Sequence, residues 1–447
     1  MSLDRRMLAA LAVCVTLVAC RTAPPPNVVV VLVDTLRPDF LGCYGHPAGL
    51  TPFVDQLAAR GTRFGHAYAA STWTNPSVAS LFTSRWQSQT GVMNLFSVLP
   101  DRERTLAEVL HERGFVTAAF LATRSIPGAA GFGQGFDVWE EVIDQMQEKA
   151  TGAQLNQRTL AWLDARPHED HRPLLLYLHY MEPHFPYDPR PDRLDAVLAP
   201  RHYTEAERDA WDERVNAWLE HSLEGEARPE DVGVIRDQYL AEVASFDQAL
   251  RELFDGLEAR GVLAHAVVVI TADHGEEFHE HGVIGHGLDL FNETLHVPLL
   301  VLVPGQRAGV ADDPVSLIDV APTILDLAGA RAEPSFEGRS LLHSGARAPA
   351  YAELLVDVTG KQPPQNRALV DGSRKLVLTP DGRQQFYDLT RDPGEQDPEA
   401  FDGPVRAELV QALDASRLRA QRDAGAPEQR QIDNATRERL RALGYAN

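Results

Sequence analysis

Two apolar runs of the sequence end in side chains that could bind a metal ion. Asp34 directly follows the run Val28 to Val33, and Asp273-His274 lies just beyond the run Val267 to Thr271. In an open α/β sheet, ligands bind beyond the carboxyl ends of the strands, so we expect these three side chains to meet there. Two carboxylates and an imidazole predict a divalent metal, and their mixed oxygen and nitrogen character suits Mn, Zn or Fe better than Ca. Asp34 by itself is typical of a loop or capping carboxylate.

The hydroxyl group of Thr74 is the candidate nucleophile. Thr74 precedes Asn75-Pro76-Ser77, in which Pro76 suits the first position of a helix and Asn75 suits its cap. The amino end of a helix attracts anions through its unpaired N–H groups and its dipole. A hydroxyl group there that touches a cation can lose its proton and attack an ester. Taken alone, the local sequence favours a simpler interpretation, one more polar residue before a helix.

The elements that would position these residues are predicted from short apolar runs that alternate with longer amphipathic stretches. This rhythm is typical of an α/β fold with a doubly wound, mostly parallel sheet and helices on both faces. The predicted strands are Val28 to Val33, Val116 to Leu121, Leu174 to Leu178, Val267 to Thr271 and Leu299 to Val303. The predicted helices are Thr51 to Arg60, Thr105 to Arg113, Leu155 to Ala165 and Arg236 to Arg260.

The character of the sequence changes after the last of these strands. Three short strands separated by Asp-Gly dipeptides predict a small antiparallel sheet, and they are Arg367 to Val370, Arg374 to Leu378 and Gln385 to Leu389. We therefore predict a catalytic α/β domain at residues 27–330, an antiparallel C-terminal subdomain at 331–400 and a helical tail at 401–447. The charged stretch Pro189 to Asp231 predicts a mostly helical excursion over the surface or the site.

The composition excludes several classes of protein. The 447 residues are 44% hydrophobic and 24% charged, which is typical of a globular protein rather than a disordered one. The formal net charge of −22 argues against a nucleic-acid scaffold role, because phosphate contacts need basic residues. The cysteines Cys14, Cys20 and Cys43 are too few for a disulfide framework.

The N-terminus has the pattern of an export signal. Two arginines precede an uncharged run from Met7 to Ala19, which is short for a bilayer span and has the size of a signal-peptide core. The run ends in Leu17-Val18-Ala19-Cys20, which resembles a bacterial lipobox. We predict a lipoprotein signal peptide at residues 1–20, lipidation at Cys20 and a tether at 21–26. A plain secretory signal cleaved nearby is the alternative.

Either form of processing places the mature protein outside the cytoplasm. We expect it in the bacterial cell envelope, lipid-anchored, and facing the periplasm or the cell surface. Inner and outer membrane both remain open from the sequence.

Several short motifs occur together along the chain in a recognisable order. They are Asp34-Thr35-Leu36-Arg37-Pro38-Asp39, Tyr44-Gly45, Thr51-Pro52, Thr74-x-Pro76-Ser77, Glu182-Pro183-His184-x-Pro186-Tyr187 and Asp273-His274-Gly275-Glu276. This order resembles the sulfatase family of the alkaline phosphatase superfamily, from about Asn27 to Leu389. The resemblance implies an alkaline-phosphatase-like fold, a metal at the strand ends and a covalent intermediate on the residue two before the Pro-Ser pair.

The nucleophile position departs from the usual sulfatase pattern. Sulfatases have Cys-x-Pro-Ser-Arg or a serine version, whose Cys or Ser is oxidised to formylglycine, whereas this chain has Thr74 and, in place of the arginine, Val78. Threonine is not the substrate of that oxidation, so no formylglycine is expected. Thr35 replaces the second acidic ligand, and Leu121 to Arg124 replaces the family's Gly-Lys-Trp-His segment. A threonine nucleophile with Asp and His ligands resembles instead the superfamily's nucleotide phosphodiesterases and phosphoethanolamine or glycerophosphate transferases.

The resemblance implies a role for each candidate residue. Thr74 is the nucleophile, and Asp34, Asp273 and His274 hold the metal. His184 matches the family histidine that contacts the substrate or protonates the leaving group, although a loop histidine capped by prolines is an alternative.

Three other side chains have weaker assignments. Arg37 could neutralise substrate charge from its place beside Asp34. His286 lies near the position where relatives carry a lysine or histidine, and it could neutralise charge or ligate a second metal. His179 follows a buried strand, where a satisfied core histidine explains it equally well.

Three functions are open at this point. The leading prediction is an exported, metal-dependent hydrolase that cleaves sulfate or phosphate esters through a covalent threonine intermediate, with phosphoesters favoured. Its substrate would be a small-molecule, glycan or lipid ester, and its lipid anchor would attach it to a membrane. The alternatives are a phospho-group transferase acting on an envelope lipid or glycan, and a catalytically silent surface-binding lipoprotein. The sequence leaves the substrate, the identity and number of the metal ions and the oligomeric state open.

Overall fold

The computed structural model describes residues 24–143, 149–167, 169–199, 204, 229–343, 347–355, 366–398 and 401–430. The predicted signal peptide and Cys20 lie outside the described residues, as do much of the predicted excursion and the end of the predicted tail. In the described part of the chain, no helix combines the length and the apolar character needed to cross a membrane.

Within the described residues, the strands form a nine-stranded sheet, a four-stranded sheet and a two-stranded hairpin. The strands are β1 (Asn27–Val33), β2 (Thr62–Tyr68), β3 (Val116–Leu121), β4 (Val138–Glu141), β5 (Leu174–Tyr180), β6 (Ala266–Ala272), β7 (Glu277–Phe278), β8 (Ile284–Gly285), β9 (His296–Leu302), β10 (Gly309–Ala311), β11 (Val315–Ser316), β12 (Ala350–Leu354), β13 (Asn366–Asp371), β14 (Arg374–Leu378) and β15 (Gln384–Asp388). The large sheet has the order β10-β2-β9-β6-β1-β5-β3-β4, and β11 pairs with β2.

The centre of the large sheet is β1, which pairs in parallel with β5 on one side and β6 on the other. The consecutive residues Val28 to Val33 are all buried. Because successive strand residues point to opposite faces, both faces of the sheet must be covered. This arrangement agrees with the predicted doubly wound, mostly parallel sheet.

The strands at one side of this sheet differ from the prediction. β9 runs antiparallel to both of its neighbours, β2 and β6, whereas the sequence placed it in the parallel set. β2 was not predicted, because it contains Arg63, Gly65 and His66 and its pairing with β9 is interrupted after Phe64. Such a strand lacks the continuous apolar run that marks the central strands.

Helices connect the strands and cover the sheet. They are α1 (Pro52–Ala58), α2 (Thr74–Thr83), α3 (Gln87–Thr90), α4 (Leu106–Glu112), α5 (Gly152–Asp164), α6 (Pro191–Leu198), α7 (Pro229–Ala259), α8 (Asn292–Leu295), α9 (Val320–Leu327) and α10 (Gly403–Ala420). The long helix α7 begins at Pro229, seven residues before the predicted start. Tyr239, Val243 and Phe246 on this helix are fully buried, as their spacing of three and four predicted.

The C-terminal sheet is antiparallel, in the order β12-β13-β14-β15. Gly372 connects β13 to β14 with a φ of 62°, a conformation that glycine adopts without steric cost. The sequence predicted the last three strands but not β12, whose Ala-rich start carries little strand preference. Leu409 and Leu413 of α10 pack on this sheet in one apolar cluster with Leu369 and Leu376.

Candidate active site

The carboxyl ends of β1 and β6 bring the three predicted metal ligands together. Val33 and Ala272 are register partners, so Asp34 and Asp273 leave neighbouring strands at the same edge. His274 Nε2 lies 3.3 Å from Asp273 Oδ2 and 3.8 Å from Asp34 Oδ1. One ligand atom of each side chain lies within 4.8 Å of the others, and all three residues are buried.

The donor atoms of this cluster have the free electron pairs that a cation needs. Asp34 Oδ1 and Asp273 Oδ2 are buried and have no hydrogen-bond partner. His274 Nδ1 lies 2.9 Å from the carbonyl oxygen of Gly275, which assigns the proton to Nδ1 and leaves a lone pair on Nε2. Because unpaired buried acceptors are costly, the cluster fits a divalent cation.

The two carboxyl groups are difficult to ionise in the metal-free protein. Burial raises the pKa of Asp273 to about 6, and the charge of Asp34 adds to this rise. Burial also raises the pKa of Asp34 well above its usual value, with a further contribution from Glu276. Burial lowers the pKa of His274 to about 4, so its imidazole is neutral at neutral pH. A cation here would favour the ionised form of both carboxyl groups.

The backbone of Thr35 fixes one oxygen of Asp273. The N–H groups of Thr35 and His274 donate to Asp273 Oδ1 at 3.3 Å and 3.0 Å. Thr35 has a φ of 58°, which is a strained conformation for a β-branched residue. These two hydrogen bonds occupy Oδ1 and leave Oδ2 as the oxygen available to a cation. Thr35 Oγ1 is also buried without a hydrogen-bond partner.

Thr74 lies at the start of α2. The helix begins at Thr74 itself, so the prediction that Pro76 is the first helical residue and Asn75 the cap was wrong. Asn75 lies inside the helix, and its side chain donates to the carbonyl oxygen of Ser125 at 3.1 Å. The ten residues of α2 are all buried, so its N-terminal N–H groups face the interior, where the helix dipole favours an anion.

The hydroxyl group of Thr74 contacts the metal-binding cluster. Thr74 Oγ1 lies 3.2 Å from His274 Nε2, and both residues are fully buried. Ser77, one turn later, donates to the carbonyl oxygen of Asp273 at 2.7 Å and so connects α2 to the end of β6. The structure thus brings the predicted nucleophile and the predicted ligands together.

His179 contacts a ligand of the cluster. The sequence did not decide whether it is a core histidine or a residue of the site. Its position on β5 is the register partner of Leu32 on β1. His179 Nε2 lies 3.1 Å from Asp34 Oδ2, and Nδ1 lies 3.0 Å from the hydroxyl of Tyr177. Burial lowers the pKa of His179 to about 4, so a neutral ring donates to Asp34 and orients it.

His184 and His286 extend the site as a row of rings. The ring centroid of His286 lies 4.4 Å from that of His274 and 5.3 Å from that of His184. His184 Nδ1 contacts the carbonyl oxygen of Phe185. Burial lowers the pKa of His184, and the nearby His286 lowers it further. The structure therefore places both predicted histidines beside the cluster.

His286 is paired with a carboxyl group that the sequence analysis did not single out. Its Nδ1 lies 3.0 Å from Glu276 Oε1. Burial raises the pKa of Glu276 to about 8 and lowers that of His286 to about 4. Near neutral pH the Glu276 proton therefore lies in the hydrogen bond to Nδ1, and the ring's own proton is on Nε2. His286 is thus a hydrogen-bond donor.

Arg37 is held by carboxylates. Its guanidinium donates to both oxygens of Asp39 at 2.9 Å and 2.8 Å, to the carbonyl oxygen of Glu276 at 2.8 Å and to Glu280 Oε1 at 2.9 Å. These four bonds engage most of its five N–H groups. They favour a structural role for Arg37 over the predicted neutralisation of substrate charge.

Lys149 also lies in this region, although no motif of the sequence includes it. Its Nζ donates to the carbonyl oxygen of His184 and to Glu242 Oε1, both at 2.8 Å. These partners lie 35 and 93 residues away along the chain, so no local pattern could identify the contact.

Comparison with protein families identifies the chain. A family model described as Sulfatase matches residues 26–330. The chain belongs to the sulfatase family. The predicted resemblance is confirmed at this level, and the match does not distinguish a threonine from other nucleophiles.

This sulfatase resembles named relatives over most of its length. It is 26% identical to arylsulfatase K of Mus musculus over 420 residues, which cover 83% of this chain and 75% of that protein. It is 26% identical to choline-sulfatase of Rhizobium meliloti (strain 1021) over 438 residues, which cover 84% of this chain and 82% of that protein. Family membership and these relatives confirm the prediction of a sulfatase-like hydrolase.

Solved structures confirm the fold of the sulfatase. A protein described in complex with its substrate D-glucosamine-2-N,6-O-disulfate superposes with a TM-score of 0.73 at 20% identity, over 89% of this chain and 99% of that chain. Phosphonate monoester hydrolase of Agrobacterium radiobacter superposes with a TM-score of 0.69 at 20% identity, over 91% of this chain and 100% of that chain. The predicted alkaline-phosphatase-like α/β fold with a small C-terminal antiparallel sheet is confirmed.

Proposed function

We propose that this sulfatase-family hydrolase is metal-dependent and cleaves phosphate or sulfate esters through a covalent ester on Thr74, with phosphoesters preferred. The observation that carries the proposal is the contact of Thr74 Oγ1 with His274 Nε2, 3.2 Å apart, next to two carboxylate oxygens without hydrogen-bond partners. Asp34, Asp273 and His274 would hold the cation. A bound divalent cation lowers the pKa of a nearby hydroxyl and withdraws charge from an ester oxygen.

Thr74, His286 and His184 each have a role in the reaction. Thr74 releases its proton to water and attacks phosphorus or sulfur in line, so that a bond to Oγ1 forms while the bond to the leaving oxygen breaks. His286 donates Nε2–H to an oxygen of the transferred group. His184 gives a proton to the leaving oxygen, because an anionic ester beside its ring favours the protonated form. Water then cleaves the Thr74 ester and restores the hydroxyl.

The side chain of Thr74 is the reason for preferring phosphoesters. Oxidation of a threonine would give a ketone rather than the aldehyde of formylglycine, so hydrate chemistry is not expected. The intermediate must then be resolved by direct attack of water on phosphorus or sulfur. The site differs in this respect from the formylglycine pattern, whereas tetrahedral oxyanions of both kinds pose similar electrostatic demands. Neighbours named as sulfatases and as phosphonate monoester hydrolases are consistent with both kinds of substrate.

The substrate class is proposed from the named neighbours. One solved neighbour is described with D-glucosamine-2-N,6-O-disulfate and another with a neocarrahexaose. A small-molecule or glycan ester is therefore the substrate class that we propose for this chain.

Hydrolysis by a Thr74 series tests the mechanism. We would compare nitrophenyl phosphate monoesters, diesters and sulfate with the parent, Thr74→Ala and Thr74→Ser, each loaded with Mn or Zn. Thr74→Ala should lower kcat by at least about a thousandfold, whereas Thr74→Ser should retain activity. Thr83→Ala is the matched control, because Thr83 is a buried threonine of α2 whose Oγ1 bonds the carbonyl oxygen of Ala79 at 2.7 Å.

An acid-quenched reaction identifies the intermediate. Mass spectrometry should find the phosphoryl or sulfuryl group on the peptide that contains Thr74. A parent-like rate for Thr74→Ala would instead assign the attack to water, and a preference for nitrophenyl sulfate would overturn the phosphoester preference.

We also propose that the protein is exported and lipid-anchored through Cys20. The support is the sequence alone, an uncharged run that ends in a lipobox-like Leu17-Val18-Ala19-Cys20. Cys20→Ser should move the protein from the membrane fraction to the soluble fraction of a bacterial host. Unchanged fractionation would contradict the lipid anchor.

A further inference from the structure

A buried ammonium group holds the loop that carries His184. Lys149 Nζ donates to the carbonyl oxygen of His184 and to Glu242 Oε1, each at 2.8 Å. The side chain of Lys149 is 9% exposed and that of Glu242 is fully buried. One cation therefore joins three separate parts of the fold, its own loop, the loop after β5 and helix α7.

The loop has few donors of its own with which to fix its shape. Pro183 and Pro186 flank His184, and proline has no N–H group. Within the loop, His184 N donates to the carbonyl oxygen of Met181 at 2.7 Å. Attachments to other parts of the fold include Lys149 on the His184 carbonyl oxygen, the N–H group of Gly152 on Glu182 Oε1 at 2.6 Å, and the N–H group of Asp188, which donates to Glu242 Oε1 at 2.6 Å.

Glu242 is the common partner of these attachments. Its Oε1 accepts from both Lys149 and the N–H group of Asp188. Without the ammonium group, the carbonyl oxygen of His184 and a buried carboxylate would both lose a charged donor. We expect the loop to move in response. The loop carries the carbonyl oxygen of His184, whereas Glu242 lies on α7, which its buried face holds in place.

The position of the His184 ring depends on this backbone. The ring lies edge-on to His286, with centroids 5.3 Å apart, and His286 in turn packs on His274. Burial lowers the pKa of His184, as does His286, and the Lys149 charge acts in the same direction, which places the ammonium within electrostatic reach of the ring. A shift of the loop by about 1 Å would separate the proton donor from the leaving oxygen.

We propose that Lys149 is a positioning residue for His184, and that it acts through the His184 carbonyl oxygen rather than by contact with the substrate. The inference rests on the proposed function, in which His184 protonates the leaving group. It predicts that loss of Lys149 impairs the protonation of the leaving group more than any other step.

Comparing the hydrolysis of two esters of the same acid, one with a good and one with a poor leaving group, separates the protonation of the leaving group from the other steps. A nitrophenyl ester needs little protonation of its leaving oxygen, whereas the corresponding phenyl or alkyl ester needs much more. Lys149→Met should lower kcat for the poor leaving group about tenfold more than for the nitrophenyl ester. His184→Gln should show the same selectivity, and the double variant should show no greater selectivity than His184→Gln alone. Lys149→Arg keeps the charge and should recover part of the selective loss.

Lys375→Met is the matched control. Lys375 is also buried, and its Nζ lies 2.7 Å from Glu395 Oε1 and 3.1 Å from Asn292 Oδ1. This substitution should lower stability in the same way without any selectivity between the two esters. Equal losses on both esters for Lys149→Met, or selectivities that add in the double variant, would overturn the positioning role.

An inactive parent would refute the proposed function but leave the inference testable. In protein labelled with ¹⁵N-histidine, the His184 signals can be assigned by their loss in His184→Gln. Lys149→Met should shift these signals and Lys375→Met should not. Unchanged His184 signals in Lys149→Met would overturn the inference independently of activity.

Discussion

Asp273→Asn is expected to stabilise the metal-free protein while removing its response to metal. Burial and then the charge of Asp34 raise the pKa of Asp273 to about 6, against about 3.9 for an unfolded aspartate. The folded state thus binds this proton more tightly, so stability falls as pH rises between the two values. Roughly two pKa units correspond to about 3 kcal/mol at neutral pH. Asparagine has no charge to bury, and its Oδ1 can still accept from Thr35 and His274.

Thermal unfolding with and without a chelator measures both the gain in metal-free stability and the loss of the response to metal. Given about 2.1 cal/mol/K per residue over the roughly 360 residues that the structure describes, 3 kcal/mol corresponds to about 4 °C in Tm. The chelated Asp273→Asn variant should melt about 4 °C above the parent near pH 7.5, and about half as far above it near pH 5. Mn or Zn at about a hundred times its Kd should stabilise the parent by about 2.7 kcal/mol. The same addition should leave Asp273→Asn unchanged.

Asp247→Asn is the control for a buried aspartate with a purely structural role. The carboxylate of Asp247 accepts the N–H groups of Phe53 and Val54 at the start of α1, at 3.0 Å and 2.8 Å. Its substitution should leave the metal-induced rise in Tm intact. A lower metal-free Tm for Asp273→Asn at both pH values, or a full metal-induced rise, would refute the argument from buried repulsion.

Two further substitutions test the surroundings of the cluster. Glu276→Gln should keep most of the activity near neutral pH, because an amide can replace the protonated carboxyl group as donor to His286. Glu276→Ala should lower kcat about tenfold or more. Equal losses of activity in both variants would show that the carboxylate form is needed. Arg37→Met should lower the free energy of unfolding by roughly 2 to 3 kcal/mol, since it removes the cation from two acidic partners of which one is half exposed. The KM of the folded Arg37→Met variant should stay within about twofold of the parent, and a large rise in KM would restore the substrate role.

The parts of the fold that the sequence predicted are those with an apolar signature. β1 and β6 are buried on both faces, so both are rich in valine, with a leucine in β1 and an isoleucine in β6. β2 and β12 carry no such valine-rich run. The direction of β9 could not be predicted either, because a strand has the same composition whichever way it runs. Between β6 and β9 the chain folds back at the active-site edge through the β7-β8 hairpin and α8, which makes β9 antiparallel.

The candidate site also contains residues that the sequence predicted and contacts that it did not. Asp34, Asp273 and His274 were predictable because each directly follows a recognisable strand, and the sheet brings strand ends together. The contacts that orient these residues come from distant parts of the chain. Arg37 shows the limit of this reasoning, because it lies three residues after Asp34 in sequence, yet its charge is paired with the carboxylates of Asp39 and Glu280.

Helix α2 links the nucleophile to the metal-binding cluster, so chemistry and fold can be tested separately. Thr74 needs a helix start that lies against the end of β6, and Ser77 provides this through its bond to the carbonyl oxygen of Asp273. That bond does not involve the hydroxyl of Thr74. Thr74→Ala therefore removes the reacting atom while the attachment of the helix stays in place, whereas Ser77→Ala removes the attachment and leaves the atom. A loss of activity in the first variant without loss of stability would then report on bond formation at Oγ1 rather than on the position of the helix.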